Sequence, residues 1–375
     1  MSEQQFERAV PLPVSAETAF RWHEQPGALD RLIPPWEQVR VARATGGIGD
    51  GAQVELVAQI GPVPVRWLAE HSDYQPGVSF RDTQLSGPFA KWVHTHRFVP
   101  RGEHACELVD HIDYRVPGGG LGAWLGGNSI RAKLDHMFTY RHATTAADLA
   151  LHARYAENKA MHISITGGTG MVGTSLTALL TTGGHRVTKF VRKNPGQGES
   201  LWDPAAGQID SDVLASSDAV IHLAGDNIAE GRWNKAKKAR ILQSRVQGTR
   251  LLAETLAKLA TPPKVLVSAS AIGFYGSRGD EWLDEQSSSG AGFLADVCRQ
   301  WEAATEPAKA ANIRVVNVRF GVILSPRGGA LAKMLLPFKL GGGGIIGSGQ
   351  QYWSWVTLDD VIGAVHHTVM NESLT

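Results

Sequence analysis

The sequence predicts an α+β domain followed by an α/β domain built on a doubly wound parallel sheet. Three observations carry this expectation. The chain has 375 residues, more than the roughly 100–200 that one domain usually holds. Residues 1–116 alternate apolar and polar side chains in short runs, the period of half-buried antiparallel strands. From Met161 the pattern changes to continuous apolar runs rich in Val and Ile, separated by helical stretches. That is how strands read when both faces of a parallel sheet are covered. The joint falls at 156–160, which gives domains over 1–155 and 161–375.

In the first domain a strand is followed by two short helices. Ser15 is placed to cap the first, with Glu17 in its opening turn and Ala19, Phe20 and Trp22 as its bulk. The second covers 27–32 and stops before Pro34 and Pro35. Strands follow at 39–44, 52–60, 63–72, 78–85, 91–99 and 106–116. A glycine-rich stretch over 117–128 reads as a loop. A longer helix begins near Ser129, with Ile130, Leu134, Met137 and Phe138 on one face. One antiparallel sheet curled around one long helix buries both apolar faces and often leaves a cavity beneath the helix. This element order resembles the helix-grip, START-like superfamily, also called polyketide cyclase-like. The resemblance implies a bound hydrophobic ligand.

In the second domain strands are expected at 162–166, 186–191, 219–223, 264–268 and 314–319. Helices are expected at 170–182, 235–259 and 292–311, with a last helical run over 358–370. The first strand leads directly into Gly167-Gly168-Thr169-Gly170-Met171-Val172-Gly173. A glycine turn between a strand and a helix is the fingerprint of a dinucleotide site. Gly167 permits the tight turn, Gly170 lets backbone approach a pyrophosphate, and Gly173 permits close packing of helix on strand. Free N–H groups and the positive end of the helix dipole then face the phosphates. Thr169 adds a hydroxyl donor. The end of the second strand selects the cofactor. An NAD site uses an Asp or Glu there for the ribose hydroxyls, whereas this chain has Arg192 and Lys193. Their charges suit a 2′-phosphate, so NADP(H) is favoured over NAD(H).

The glycine turn and His222-Leu223-Ala224-Gly225 resemble the extended short-chain dehydrogenase/reductase superfamily, whose core is a Rossmann sheet. Further motifs narrow this: Arg232-Trp233-Asn234, Ser244-Arg245, Ser268 through Gly276, Trp301-Glu302, Arg319 through Leu324, Gly341 through Gln350, Trp353-Ser354-Trp355 and Asp359-Asp360. Together they resemble the NAD-dependent epimerase branch often labelled sugar-nucleotide epimerases or cell-division-inhibitor homologues. The resemblance implies a small C-terminal substrate lobe, only part of which 161–375 would include. It implies that Leu223, Ala224 and Gly225 pass the ribose and nicotinamide, that Arg245 and Ser268 lie near the cofactor, and that Ser270 polarises the substrate. The superfamily's Tyr-x-x-x-Lys acid/base pair is missing from the expected helix, where Val297 or Cys298 takes the lysine position. Tyr275 is the alternative acid. Two readings stay open: an NADP(H)-dependent epimerase- or reductase-like enzyme acting on a nucleotide-sugar or another carbonyl or alcohol, and a non-catalytic sensor of NADP(H) and a hydrophobic ligand.

Other signals set bounds. Lys and Arg number 37 against 36 Asp and Glu, so no basic field favours nucleic acid or membrane as partner. The N-terminus MSEQQFERAV has no apolar signal core, and no apolar run reaches 18 residues. The expectation is a cytoplasmic protein with a small-molecule substrate, and a homodimer stays open. Cys106 and Cys298 are too few for a disulfide framework or a Cys-rich zinc site. His94 and His96 share a strand face, but no third ligand stands at a recognisable spacing, so no metal is expected. Five basic residues between Arg232 and Arg240 read as a solvated face or a phosphate contact. Trp353, Trp355, Asp359 and Asp360 line a cleft or pack the lobe.

Overall fold

The computed structural model describes residues 3–60, 63–117 and 119–375. The chain forms two compact units, 1–157 with 181–184, and 158–180 with 185–375.

The first unit opens with β1 (Gln4–Leu12), α1 (Ala16–Glu24) and α2 (Ala28–Leu32), then β2 (Val39–Thr45), β3 (Gln53–Ile60), β4 (Val63–Gln75), β5 (Ser79–Ser86), β6 (Lys91–Pro100), β7 (Cys106–Arg115) and α3 (Gly119–Ala153). The Ser15 side chain accepts from the Thr18 N–H and starts α1 as its sequence predicts. The seven strands form one antiparallel sheet in the order β1-β7-β6-β5-β4-β3-β2. On β6 the burial alternates strictly, with Trp92, His94, His96 and Phe98 inward. Phe6, Trp92, Ile112 and Tyr114 pack against Leu134 and Phe138 of α3. This is the helix-grip arrangement. The Arg31 guanidinium of α2 makes a bidentate pair with Asp148 of α3, both contacts 2.8 Å and buried. One expectation fails. Residues 119–128 are not a loop, because α3 already runs from Gly119. Each added residue gains a backbone bond once a helix is nucleated, and no proline interrupts 119–128.

The second unit runs β8 (His162–Thr166), α4 (Met171–Thr182), β9 (Arg186–Val191), β10 (Glu199–Asp203), β11 (Gln208–Ile209), α5 (Ser211–Ala215), β12 (Ala219–His222), α6 (Lys235–Ala257), β13 (Val265–Ala271), α7 (Phe293–Ala303), α8 (Glu306–Ala310), β14 (Arg314–Phe320), β15 (Val322–Ser325), α9 (Gly329–Lys339), β16 (Trp355–Thr357) and α10 (Leu358–Met370). The sheet order is β11-β10-β9-β8-β12-β13-β14. Apart from the short edge strand β11, this is the Rossmann order 3-2-1-4-5-6, which reverses direction between β8 and β12. Every residue of β8 and β12 is buried, so their apolar residues need no alternation and their polar ones find partners, Ser164 with Ser217 and Thr166 with His222.

The sequence reading misses β10, β11, α5, β15, α9 and β16, all short or weakly patterned. It also fuses α7 and α8 over 292–311, where Ala304 and Thr305 separate the two. β15 and β16 form a separate parallel pair. The segment 341–349 is a glycine-rich connection without helix or strand. No helix among the described residues is long and apolar enough to cross a membrane.

Candidate functional site

The carboxyl ends of β8, β12 and β13 lie side by side. The Leu223 N–H donates to the Thr166 carbonyl at 3.0 Å, joining the β8 and β12 exits. Gly167 turns with φ +72°. A Cβ there would stand 2.8 Å from the Ala224 nitrogen and the Leu223 carbonyl carbon. Two loops can cross at this distance only because Gly167 has no side chain. Gly173, in the first turn of α4, is tighter still. A Cβ on it would lie 2.3 Å from the Gly167 carbonyl oxygen. The Gly170 N–H closes the turn onto the Gly167 carbonyl at 3.1 Å. The Met171 and Val172 N–H groups open α4, where no preceding helical carbonyl is available to accept from them. The turn therefore presents donors and a positive dipole end across a surface free of side-chain bulk, the cradle a pyrophosphate requires.

Arg192 and Lys193 are exposed just beyond β9. They follow the second Rossmann strand, where the sequence places them. Lys189, earlier on β9, pairs with Glu199 at 3.1 Å.

His222 ties the centre of the sheet together. Its Nδ1 lies 2.6 Å from Thr166 Oγ1 of β8, and its Nε2 lies 2.8 Å from Thr249 Oγ1 of α6. Burial pushes this ring down to about 4. It stands neutral, with both nitrogens engaged.

Arg245 lies under the β12 exit, beside Gly225. Its Nη1 donates to the Asp226 carbonyl at 3.1 Å and the Ile241 carbonyl at 3.2 Å. Its guanidinium carbon stands 5.0 Å over the Trp301 ring. Burial pulls its guanidinium below the usual value. Arg245 thus braces the turn over 223–226. The basic run from Arg232 to Arg240 is not one solvated face. Lys237 is buried and donates to Asp226 Oδ2 and the Asn227 carbonyl, both at 2.6 Å.

Ser268 is fully buried, pairs in register with His222, and directs its hydroxyl to the Ala269 carbonyl at 3.4 Å. Ser270 lies two residues further along β13, opposite Arg319 of β14. Its hydroxyl donates to Glu302 Oε1 of α7 at 2.6 Å. Glu302 is gripped by Arg319, Nε to Oε1 at 2.8 Å and Nη2 to Oε2 at 2.9 Å. Arg319 Nη1 then donates to the Tyr275 hydroxyl at 3.0 Å. Its guanidinium carbon lies 3.5 Å above the Phe274 ring. The hydrogen bond with Glu302, foremost, holds Arg319 firmly protonated. The Cys298 thiol sits beside Ser270, and burial pushes it up.

Ser270, Glu302, Arg319 and Tyr275 therefore form one connected chain. Sequence reasoning names Ser270 and Tyr275 and finds no lysine partner for the tyrosine. The cation comes instead from β14, and its anchor from α7. The signal was the strand register, which puts Arg319 across from Ser270. Val297 and Cys298, at the lysine-equivalent positions, are both 3% exposed and belong to the core. Trp353 and Trp355 are substantially exposed. Asp360 accepts the Thr357 hydroxyl at 2.6 Å, as part of the α10 cap.

Known proteins share both units. Residues 12–138 match the polyketide cyclase/dehydrase and lipid transport family, and residues 163–373 match the NAD dependent epimerase/dehydratase family. Epimerase family protein Mb2239 of Mycobacterium bovis is 41% identical over 214 residues, which cover 57% of this chain and 70% of that protein. Human epimerase family protein SDR39U1 is 40% identical over 212 residues, covering 56% of this chain and 70% of its own. The crystal structure of the nucleoside-diphosphate sugar epimerase from Corynebacterium glutamicum is 34% identical, with a TM-score of 0.84. It covers 99% of this chain, which spans 76% of it. Human SDR39U1 isoform 2, crystallised with NADPH, gives a TM-score of 0.51 at 39% identity over 56% of this chain and 70% of that one. The first family match spans the helix and sheet that grip one another, and the second spans more than half of the chain, including the glycine turn and the β12–β13 edge, so the chain belongs to the NAD-dependent epimerase/dehydratase family.

Proposed function

We propose that the second unit is an NADP(H)-dependent oxidoreductase of the epimerase or reductase type, acting on a small carbonyl or secondary alcohol such as a nucleotide-sugar. The observation that carries this is the shared edge. The cradle at 167–173 and the chain from Ser270 to Tyr275 stand at the carboxyl ends of β8 and β13, which flank β12 on one edge of the sheet, where open α/β sheets bind ligands. NADPH in the human relative supports the cofactor class. The turn 167–172 and the start of α4 would hold the pyrophosphate. Arg192 and Lys193 would hold the 2′-phosphate, and the backbone over 223–225, braced by Arg245, would flank the ribose beside Ser268. When bound, the nicotinamide supplies or accepts a hydride.

The hydrogen bonds divide the remaining work. Ser270 gives its only hydrogen to Glu302, so its oxygen is set to accept from a substrate hydroxyl. Tyr275 accepts from Arg319, so its own hydrogen can pass to a substrate oxygen. Arg319 then offsets the charge left on the phenol oxygen. This makes Tyr275 the proton carrier and Ser270 the orienting group.

The sensing reading keeps one observation in its favour: Ser270 is 2% exposed, with its hydrogen already committed. Turnover decides between the two. NADPH and NADH absorbance would be followed across a panel of carbonyls and nucleotide-sugars. The enzyme reading expects turnover with at least one substrate class, reduced about 10²–10⁴-fold in Tyr275→Phe, the usual contribution of a general acid. Saturable NADPH binding without turnover across the panel would favour the sensor.

A further inference from the structure

The middle of the antiparallel sheet holds a buried group of histidines and carboxylates. His94 and His96 stand two apart on β6, so both side chains leave the same face. The register sets Asp82 of β5 opposite His94 and Asp110 of β7 opposite His96. Cross-strand partners share a face, so three neighbouring strands bring four ionisable side chains together beneath α3. His94 is 3% exposed and Asp110 2%. Neither carboxylate is near the histidine pair in sequence, which is why spacing alone gives no third ligand.

The contacts separate an inner set from a supporting one. Asp82 Oδ2 lies 3.1 Å from His94 Nδ1 and 3.4 Å from His96 Nε2. The ligand atoms of all three residues lie within 4.8 Å of one another. A tetrahedral ion with bonds of about 2.0–2.1 Å holds its ligand atoms about 3.3–3.4 Å apart, so these spacings match the edges of such a site. The second nitrogen of each ring faces Asp110, His94 Nε2 at 2.9 Å and His96 Nδ1 at 2.7 Å. The latter contact is close but off the line of a hydrogen bond, and leaves His96 Nδ1 unsatisfied. Asp110 Oδ2 also lies 2.6 Å from His142 Nε2 on α3. A carboxylate behind a ligating imidazole fixes its tautomer and orientation.

We propose that Asp82, His94 and His96 bind a divalent transition metal in the helix-grip unit, with Asp110 as the positioning carboxylate for both imidazoles. Two ring nitrogens and one carboxylate suit ions of the zinc and ferrous class, whereas calcium and magnesium favour all-oxygen shells. Two carboxylates in this interior carry a heavy desolvation cost unless paired, and a dication beside neutral imidazoles offsets both charges. Asp82 is the most exposed of the three, its side chain 20% accessible, and leaves a side open for a further ligand. Behind Asp110 lies a small space of about 10 Å³, lined by His23, His96, His142 and Arg141 among others, room for about one water.

The rival arrangement needs no ion. Arg141 and a protonated ring would then balance the two carboxylates. Titration of the full-length chain, stripped with a chelator, with Co²⁺ alone and then Zn²⁺ separates the two. The site predicts one Co²⁺ per chain, visible ligand-field bands of low coordination number, and displacement by one Zn²⁺. Asp82→Asn and His96→Gln should weaken uptake at least about 100-fold, and Asp110→Asn about 10–100-fold, as expected for an orienting partner. His111→Gln, whose ring faces Glu7, should leave uptake unchanged. Failure of the wild-type chain to take up a stoichiometric ion, or a spectrum of the weak octahedral type, overturns the proposal even if a variant does not fold. Undiminished uptake by a folded Asp82→Asn or His96→Gln chain overturns it as well.

Discussion

At the scale of single residues, the second unit depends on a neutral histidine. Burial pushes His222 to about 4, against about 6.5 for an ordinary ring. Between those values the unfolded chain binds a proton that the folded chain refuses. The stability due to this ring is therefore complete above about pH 6.5 and is lost as pH falls toward 4. The loss amounts to about 3 kcal/mol at roughly 1.4 kcal/mol per unit. Urea unfolding of the second unit at pH 7 and 4.5, compared between wild type and His222→Gln, should show an acid loss larger in the wild type by about 2–3 kcal/mol. Equal losses would remove His222 from the account. Individual candidate residues were legible in the sequence where a motif points to them: the tight turn at Gly167 and the place of Ser270 at the end of β13. Glu302 and Arg319 were visible only as family motifs. Their joint role depends on the β13–β14 register and on the packing of α7, which pattern alone does not specify.

At the scale of elements, the β8–α4 turn is held by two glycines whose missing side chains face backbone. Glycine freedom matters differently at Gly184, which caps α4 with φ +82° and has open space around its Cβ direction. Gly173→Ala would force a Cβ to within 2.3 Å of the Gly167 carbonyl, and backbone cannot yield there without reshaping the phosphate cradle. We expect Gly173→Ala to weaken NADPH at least about tenfold and to destabilise the second unit by about 1–3 kcal/mol, the usual cost of overpacking. Gly184→Ala should cost about 1–2 kcal/mol through its left-handed backbone alone and leave NADPH affinity intact. Thermal melts with and without NADPH compare the two. Equal effects on affinity would mean that the close approach at Gly173 does not shape the cradle. The long helix α6, of 23 residues, and the buried strands β8 and β12, each rich in Ile or Val, were legible from hydrophobic pattern. β11, of two residues, and β16, of three, are too short to show one. The helical start of α3 over 119–128 was hidden by glycines that read as breakers.

At the scale of the whole molecule, the division into an α+β unit and a Rossmann unit was legible from the change of period near residue 160. The near balance of 37 basic and 36 acidic residues leaves recognition to local charge. For the proposed cofactor that charge would come from Arg192 and Lys193, exposed at the end of β9, whose cations suit a 2′-phosphate. The most direct test is an equilibrium titration of the full chain with NADPH and with NADH, repeated on Arg192→Ala/Lys193→Ala. The account predicts NADPH tighter than NADH by about tenfold or more, equivalent to about 1.4 kcal/mol, with the double variant losing that preference while NADH binding stays nearly unchanged. Equal affinity for the two nucleotides, or an equal loss of both in the variant, would contradict it.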